Sequence, residues 1–456
     1  MNLHRRLFTS VTGMAVLGTA ALATAALAGP ALGATTPILE YRATLSNTVE
    51  EQHPDQVLKW NQIFIDTLIA TNTANSSSQR LGAILHTAIF DSYNGIERRY
   101  TPIFVDEEAP AGASRRAAVI AAAHTALVGL FPSRQPVLDT SYAASLAALS
   151  DDGEDGGQSR ARGIEWGIQV GQAVLAWRAN DGFFGTYPPF TGGTAVGQWR
   201  PTPPAFSAMS AQGLAFTKMF IVASNTQFRP GPPRGLTSPT YTEDFDTVKA
   251  LGRRTESTRT ADQTALAAFW EFNATVHWNQ AANQLARAHH FSMSENNRLL
   301  AVLNIAMADT AITTWSAKRH YGALASEVTW RPVTAIPLAD TDGNPDTIPD
   351  PDWLPLINTP AHPEYPAGHP SQNGAAATVL LSYFDDAQTF TLTATGQPSR
   401  TYTSIAEARQ DGNDARVWGG MHYPSTVAIS DAEGEAIANH VYENSMQVLR
   451  NSSPAP

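Results

Sequence analysis

The sequence predicts a mainly α protein of two helical bundles separated by a long Pro/Gly-rich excursion. Apolar residues recur at helical spacing over most of the chain, and alternating strand patterns are scarce. Between residues 181 and 257 proline, glycine, threonine and aromatic residues displace the helical pattern. With 43% hydrophobic and 16% charged residues over 456 positions, the chain is globular and long enough for ample core.

The first 33 residues read as an export signal peptide. Met1 to Arg6 is short and basic, residues 11–32 are rich in Ala, Leu, Val and Gly, and the small residues around Gly33 suit cleavage. A membrane span of ~20 apolar residues is the competing reading, which the position and the small-residue end disfavour. Arg5-Arg6-Leu7-Phe8 resembles a twin-arginine signal, although two arginines also make an ordinary basic start. A secreted, extracellular protein without stable membrane association is expected. No later stretch reads as long and apolar enough to span a bilayer.

Residues 34–180 form the expected N-terminal bundle. Val57, Trp60, Ile63, Phe64, Thr67 and Leu68 define one helical face, and Leu81, Ile84, Leu85, Ala88 and Ile89 another. Helices follow over 113–130, 136–149 and 159–180, with an acidic, Gly-rich loop at 151–157. The excursion at 181–257 contains Tyr187-Pro188-Pro189-Phe190 and Arg229-Pro230-Gly231-Pro232-Pro233, and its aromatic content argues for a packed wall rather than a free linker. Residues 258–456 form the second bundle, with helices over 260–288, 294–315, 375–384 and 431–449. Ser430 with Glu433 predicts a capping box for the last of these. Phe390-Thr391-Leu392-Thr393 is the main strand candidate. Ala88-Ile89-Phe90-Asp91-Ser92 echoes Ala306-Met307-Ala308-Asp309-Thr310, as a duplicated helical unit would.

The formal net charge of −11 disfavours nucleic acid or an anionic membrane as partner, and any anion site must concentrate its cations locally. The absence of cysteine excludes disulfides, thiolate metal sites and a cysteine nucleophile. Between Lys318 and His422 three clusters supply what an oxyanion needs. They are Lys318 with Trp330-Arg331-Pro332; Tyr365-Pro366-Ala367-Gly368-His369-Pro370; and Arg416-Val417-Trp418-Gly419-Gly420-Met421-His422. Together they offer three cations, two imidazoles and glycine-flanked backbone donors. Taken singly, each residue has an ordinary structural reading: a surface lysine, a core-edge arginine, a capping or packed histidine. Pro366-Ala367-Gly368 forms a turn and Pro370 suits the first position of a helix, which places His369 at an anion-favouring helix N-terminus.

In combination these residues resemble the vanadium-dependent haloperoxidases, which share an architecture with bacterial acid phosphatases and phosphatidic acid phosphatases. The family pattern is a Lys, then Arg-Pro; then Pro-Ser-Gly-His; then Ser-Arg, five residues and His. Arg331-Pro332, Pro366-Ala367-Gly368-His369 and Arg416 with His422 match it in order and internal spacing. The resemblance implies two helical bundles of the vanadium haloperoxidase type and vanadate as cofactor. It implies that His422 bonds the metal, that Lys318, Arg331, Arg416 and the Gly368 backbone donate to vanadate oxygens, and that His369 is the acid/base. Hydrogen peroxide would oxidise halide, and a small organic acceptor would be halogenated. Lys318 and Arg331 are thirteen apart, wider than the family's spacing, which an insertion within residues 322–329 would explain; Arg319 is the fallback cation. Ala367 and Ala415 replace serines, and Thr426 stands where an acid often backs the metal histidine, so His422 needs another partner. His362 occupies a position that leans toward bromide. A phosphoester hydrolase with His422 as nucleophile, or a non-catalytic anion-binding scaffold, remain alternative readings. Asp340, Asp342, Asn344 and Asp346 read as a solvated turn rather than a calcium loop, because the closing glutamate is missing.

Overall fold

Several helix starts fall where short polar side chains cap free backbone N–H groups. The computed structural model describes residues 55–149 and 157–449. The expected signal peptide lies outside them. Asp55 accepts from the Leu58 amide at 3.0 Å and opens α1, Gln56–Ala70. It is followed by α2 (Asn75–Glu97), α3 (Arg115–Leu130, capped by Ser114), α4 (Gln135–Ala147) and α5 (Gln158–Ala179). The closest packing in this half is α3 against α5. Gly163, Gly167 and Gly171 recur every fourth residue along α5, and a Cβ at Gly163 or Gly167 would come within 2.4 Å of the Ser114 carbonyl oxygen, at the cap of α3, or 2.3 Å of the Ala118 carbonyl oxygen within it. The Ala-rich surface of α3 and this glycine ridge let the two backbones approach, so dispersion contacts replace large side chains.

The second half contains α6 (Pro239–Leu251), α7 (Ala261–Phe269), α8 (Ala274–Ala288), α9 (Met293–Gly322), α10 (Pro332–Ala335), α11 (Gly368–Leu381), α12 (Ile405–Trp418) and α13 (Pro424–Asn444). Among the described residues there is one hairpin, β1 (Phe390–Leu392) with β2 (Arg400–Tyr402), which pairs Phe390 with Tyr402. α9 is the axis of the molecule, packed on α2, α11 and α13. Its 30 residues are long and apolar enough to cross a membrane, contrary to the sequence reading, but its apolar window is wholly buried inside the protein. That window is buried on every face because helices surround it.

Several boundaries differ from expectation. The excursion contains a helix, α6, capped by Ser238 with Pro239 at its first position. Tyr241, Phe245 and Val248 supply its buried stripe, a helical signal overshadowed by the surrounding prolines. The helix expected over 260–288 breaks after Phe269, where Asn273 caps α8. The last helix starts at Pro424, so Ser430 lies inside it and makes no capping box; its hydroxyl donates to the Thr426 carbonyl at 2.6 Å. α11 starts at Gly368, which puts Pro370 third rather than first.

The two echoed segments do the same work. Asp91 of α2 accepts from the amides of Ile103, Phe104 and Val105, each at 2.9 Å. Asp309 of α9 accepts from Phe220, Ile221 and Val222 at 2.7, 2.9 and 2.9 Å. Each fully buried carboxylate pins a returning loop to the middle of its helix.

Candidate active site

Every candidate side chain sits at or beside a helix end, where backbone groups are free to serve a ligand. Lys318 lies one turn before the end of α9 at Gly322. Arg331 is extended (φ −78°, ψ 154°) and immediately precedes α10. Gly368 and His369 are the first two residues of α11, Arg416 is in the last turn of α12, and His422 precedes α13.

Lys318, Arg331 and His422 converge on residues 362–364. Lys318 is fully buried, and its Nζ donates to the carbonyls of Pro363 (2.7 Å) and Glu364 (3.2 Å). Arg331, equally buried, donates from Nε to the His362 carbonyl (2.9 Å) and from Nη2 to His362 Nδ1 (2.8 Å). Its Nη1 donates to the Met421 carbonyl (2.8 Å) and to His422 Nε2 (3.0 Å). A guanidinium has no acceptor, so His422 Nε2 must carry a lone pair. The proton therefore sits on Nδ1, which donates to Glu364 Oε1 at 2.9 Å. The nitrogen with the lone pair faces the cations, as metal ligation requires.

Gly368 lies under an aromatic lid: a Cβ there would meet the Trp315 ring at 3.3 Å. The Trp315 and His362 rings are 5.2 Å apart, and the Trp315 indole N–H donates to the Ser210 carbonyl at 3.1 Å. The excursion thus forms one wall of the site, fixed also by Ser210 N–H to the Ala361 carbonyl at 2.8 Å. It explains the wide Lys318–Arg331 spacing too. α9 runs on past Lys318 to Gly322, and the loop that follows is held by the Thr329 and Trp330 amides donating to the Gly197 carbonyl. Arg319 lies instead against the rings of Phe190 and Phe216, at 5.4 and 5.1 Å. His369 Nε2 reaches the Phe272 carbonyl at 3.3 Å.

Arg416 is 2% exposed, and its Nε and Nη2 have no protein partner. Two unsatisfied guanidinium nitrogens at this depth are expensive unless an anion takes them. The charges act on one another throughout. Burial first, then Arg331 and Lys318, hold His422 well below the usual imidazole range. Burial, then Arg416, does the same to His369, so both rings are neutral near pH 7. Burial, then Arg331, pushes Lys318 down, and burial brings Arg331 and Arg416 to about 10. An anion bound among them would favour the charged form of all three.

Sequence reasoning missed Glu364, which is 1% exposed. Its Oε1 also accepts from the Tyr423 amide (3.2 Å), and its Oε2 from the Thr426 hydroxyl (3.0 Å). The signal was an acid in His362-Pro363-Glu364-Tyr365-Pro366, directly before the glycine–histidine turn. The loop with Asp342 and Asn344 turns its oxygens inward: Asp342 accepts from the Asn344 amide and the Thr347 hydroxyl, each at 2.7 Å.

Residues 298–451 match the model of the VCPO second helical-bundle domain. No curated protein matches the chain. Among solved structures, that described as the first bacterial vanadium-dependent iodoperoxidase has a TM-score of 0.74 at 21% identity, covering 88% of this chain and 98% of its own. The apo-type bacterial vanadium-dependent chloroperoxidase gives 0.63 at 18% identity, covering 81% and 92%. The two-bundle helical fold is therefore that of vanadium haloperoxidases.

Proposed function

We propose that this chain, with the fold of the vanadium haloperoxidases and a VCPO second helical bundle, is a vanadate-dependent haloperoxidase. The observation that carries the reading is the pairing of a buried, half-unsatisfied Arg416 with an imidazole whose lone pair faces the same cations. Vanadate fits this set because it is a phosphate-shaped anion that also bonds nitrogen. Lys318, Arg331, Arg416 and the Gly368 N–H would hold its oxygens, and His422 Nε2 the metal. The narrow space beneath Trp315 explains why position 368 is glycine. Bound vanadate supplies an electrophilic centre that activates hydrogen peroxide toward halide.

The residues do the rest. The three cations draw electron density away from the anion they hold. His369, half-buried and neutral, can take a proton from incoming peroxide and return it as water leaves. Overall, halide, peroxide and one proton give hypohalous acid and water, and the hypohalous acid halogenates a small organic acceptor. His362, hydrogen-bonded to Arg331 and facing Trp315, is the residue on which the lean toward bromide rests. Export by a signal peptide, with a twin-arginine route, completes the proposal.

Purified protein dialysed against vanadate should retain the metal and brominate a dye acceptor with peroxide and bromide. Hydrolysis of phosphate esters without vanadium-dependent halogenation would replace this reading with the phosphatase; neither activity would leave an anion-binding scaffold.

A further inference from the structure

We infer that Glu364 is the positioning acid of the metal-binding histidine, supplied by the loop before α11 in place of an acid on α13. The inference rests on the cofactor reading above for its consequence, and on this chain's own hydrogen bonds for its content. An imidazole that binds a metal through one nitrogen needs an acceptor on the other, which fixes tautomer and ring orientation. Position 426, one turn beyond His422, holds a threonine, which cannot supply a charge. Its hydroxyl instead donates to Glu364 Oε2 at 3.0 Å, while His422 Nδ1 and the Tyr423 amide share Oε1 at 2.9 and 3.2 Å. Thr426 thus orients the carboxylate that orients the histidine.

The position of this acid in the chain has a second effect. The Glu364 and Pro363 carbonyls hold Lys318, and the His362 carbonyl and ring hold Arg331. Three consecutive residues therefore carry the outer partners of two cations and the histidine. An acid on α13 would fix the histidine alone. Glu364 sets the imidazole and Lys318 in one register, because its side chain holds one and its backbone the other.

Glu364→Gln keeps the shape and the backbone carbonyl and removes the charge. Vanadate affinity, measured by equilibrium dialysis, should fall about 10- to 100-fold. Sulfate affinity should stay within about threefold, since sulfate forms no bond to nitrogen and needs only the cradle. Adding Thr426→Asp, which returns a carboxylate one turn beyond His422, should recover most of the lost vanadate affinity. An equal loss of sulfate and vanadate binding, or no loss of either, would overturn the inference. Ring ¹⁵N shifts of His422 in the vanadate-free protein test it separately. The wild type should show the Nδ1–H tautomer and the Gln variant a mixture; a wild type with the proton on Nε2 would sink the assignment. Were the wild type to show the Nδ1–H tautomer and yet bind no vanadate, the cofactor reading would fail and the positioning role would stand.

Discussion

A buried guanidinium with two of its nitrogens unpartnered costs stability until an anion offsets the charge, and Arg416 is such a group. Arg416→Met should therefore raise the melting temperature of the anion-free protein, by about 1–3 kcal/mol of stability. In the wild type, saturating vanadate should stabilise the fold by about 2.7 kcal/mol at a hundredfold excess over Kd, and in the variant this rise should vanish. Thermal melts with and without vanadate check both; a destabilised variant that still gains from vanadate would contradict the role. His422→Ala should lose metal retention, because the remaining donors hold an anion's oxygens and not the metal. These residues were legible in the sequence because their spacing within each cluster is local: Arg331-Pro332, Gly368-His369, and Arg416 with His422 six residues on. Glu364 was not, since its meaning depends on a contact with a residue 58 positions away.

At the scale of elements, Asp91 and Asp309 make equivalent loop clamps with different consequences. Each accepts three consecutive amides, so replacement by Asn loses charge-assisted bonds and turns donors toward donors. Both Asp91→Asn and Asp309→Asn should cost about 2–3 kcal/mol. Hydrogen exchange should accelerate at 103–105 in the first and at 220–222 in the second. Only Asp309→Asn should also impair turnover, because its loop belongs to the excursion that walls the site and holds Trp315 through Ser210. Equal loss of turnover in the two variants would show that the wall does not depend on this clamp. The echo around the two acids was readable from sequence, but the amides they hold were not: they come from segments without periodicity. α6 was missed for a related reason. Its stripe of Tyr241, Phe245 and Val248 is short and sits among turn formers, so local composition outweighed a real helical face. The wide Lys318–Arg331 interval is filled at this scale by the last turn of α9 and a loop anchored on Gly197.

For the molecule as a whole, the site shares the core of the cooperative fold, and so pH acts on both. Glu433 on α13 is 5% exposed; its Oε2 accepts from Thr314 at 3.0 Å, and its Oε1 has no partner. Burial lifts its carboxyl to about 8, with Thr314 and Lys318 pulling it back only in part. The folded state therefore holds a proton at Glu433 that the unfolded chain, titrating near 4.5, has lost. Its contribution to stability is fully present below about 4.5 and drains away as pH rises through about 8, beyond which it changes no further. Glu433→Gln keeps a neutral, hydrogen-bonding side chain of the same shape and removes this dependence. Wild type and variant should have similar melting temperatures near pH 4.5, and the variant should be the more stable by about 1–3 kcal/mol at pH 8.5. Melts across that range at fixed ionic strength measure the difference. A gap that stays constant with pH would mean that Glu433 does not carry the proton, and a gap of opposite sign would mean that its ionised form is held by Lys318 after all.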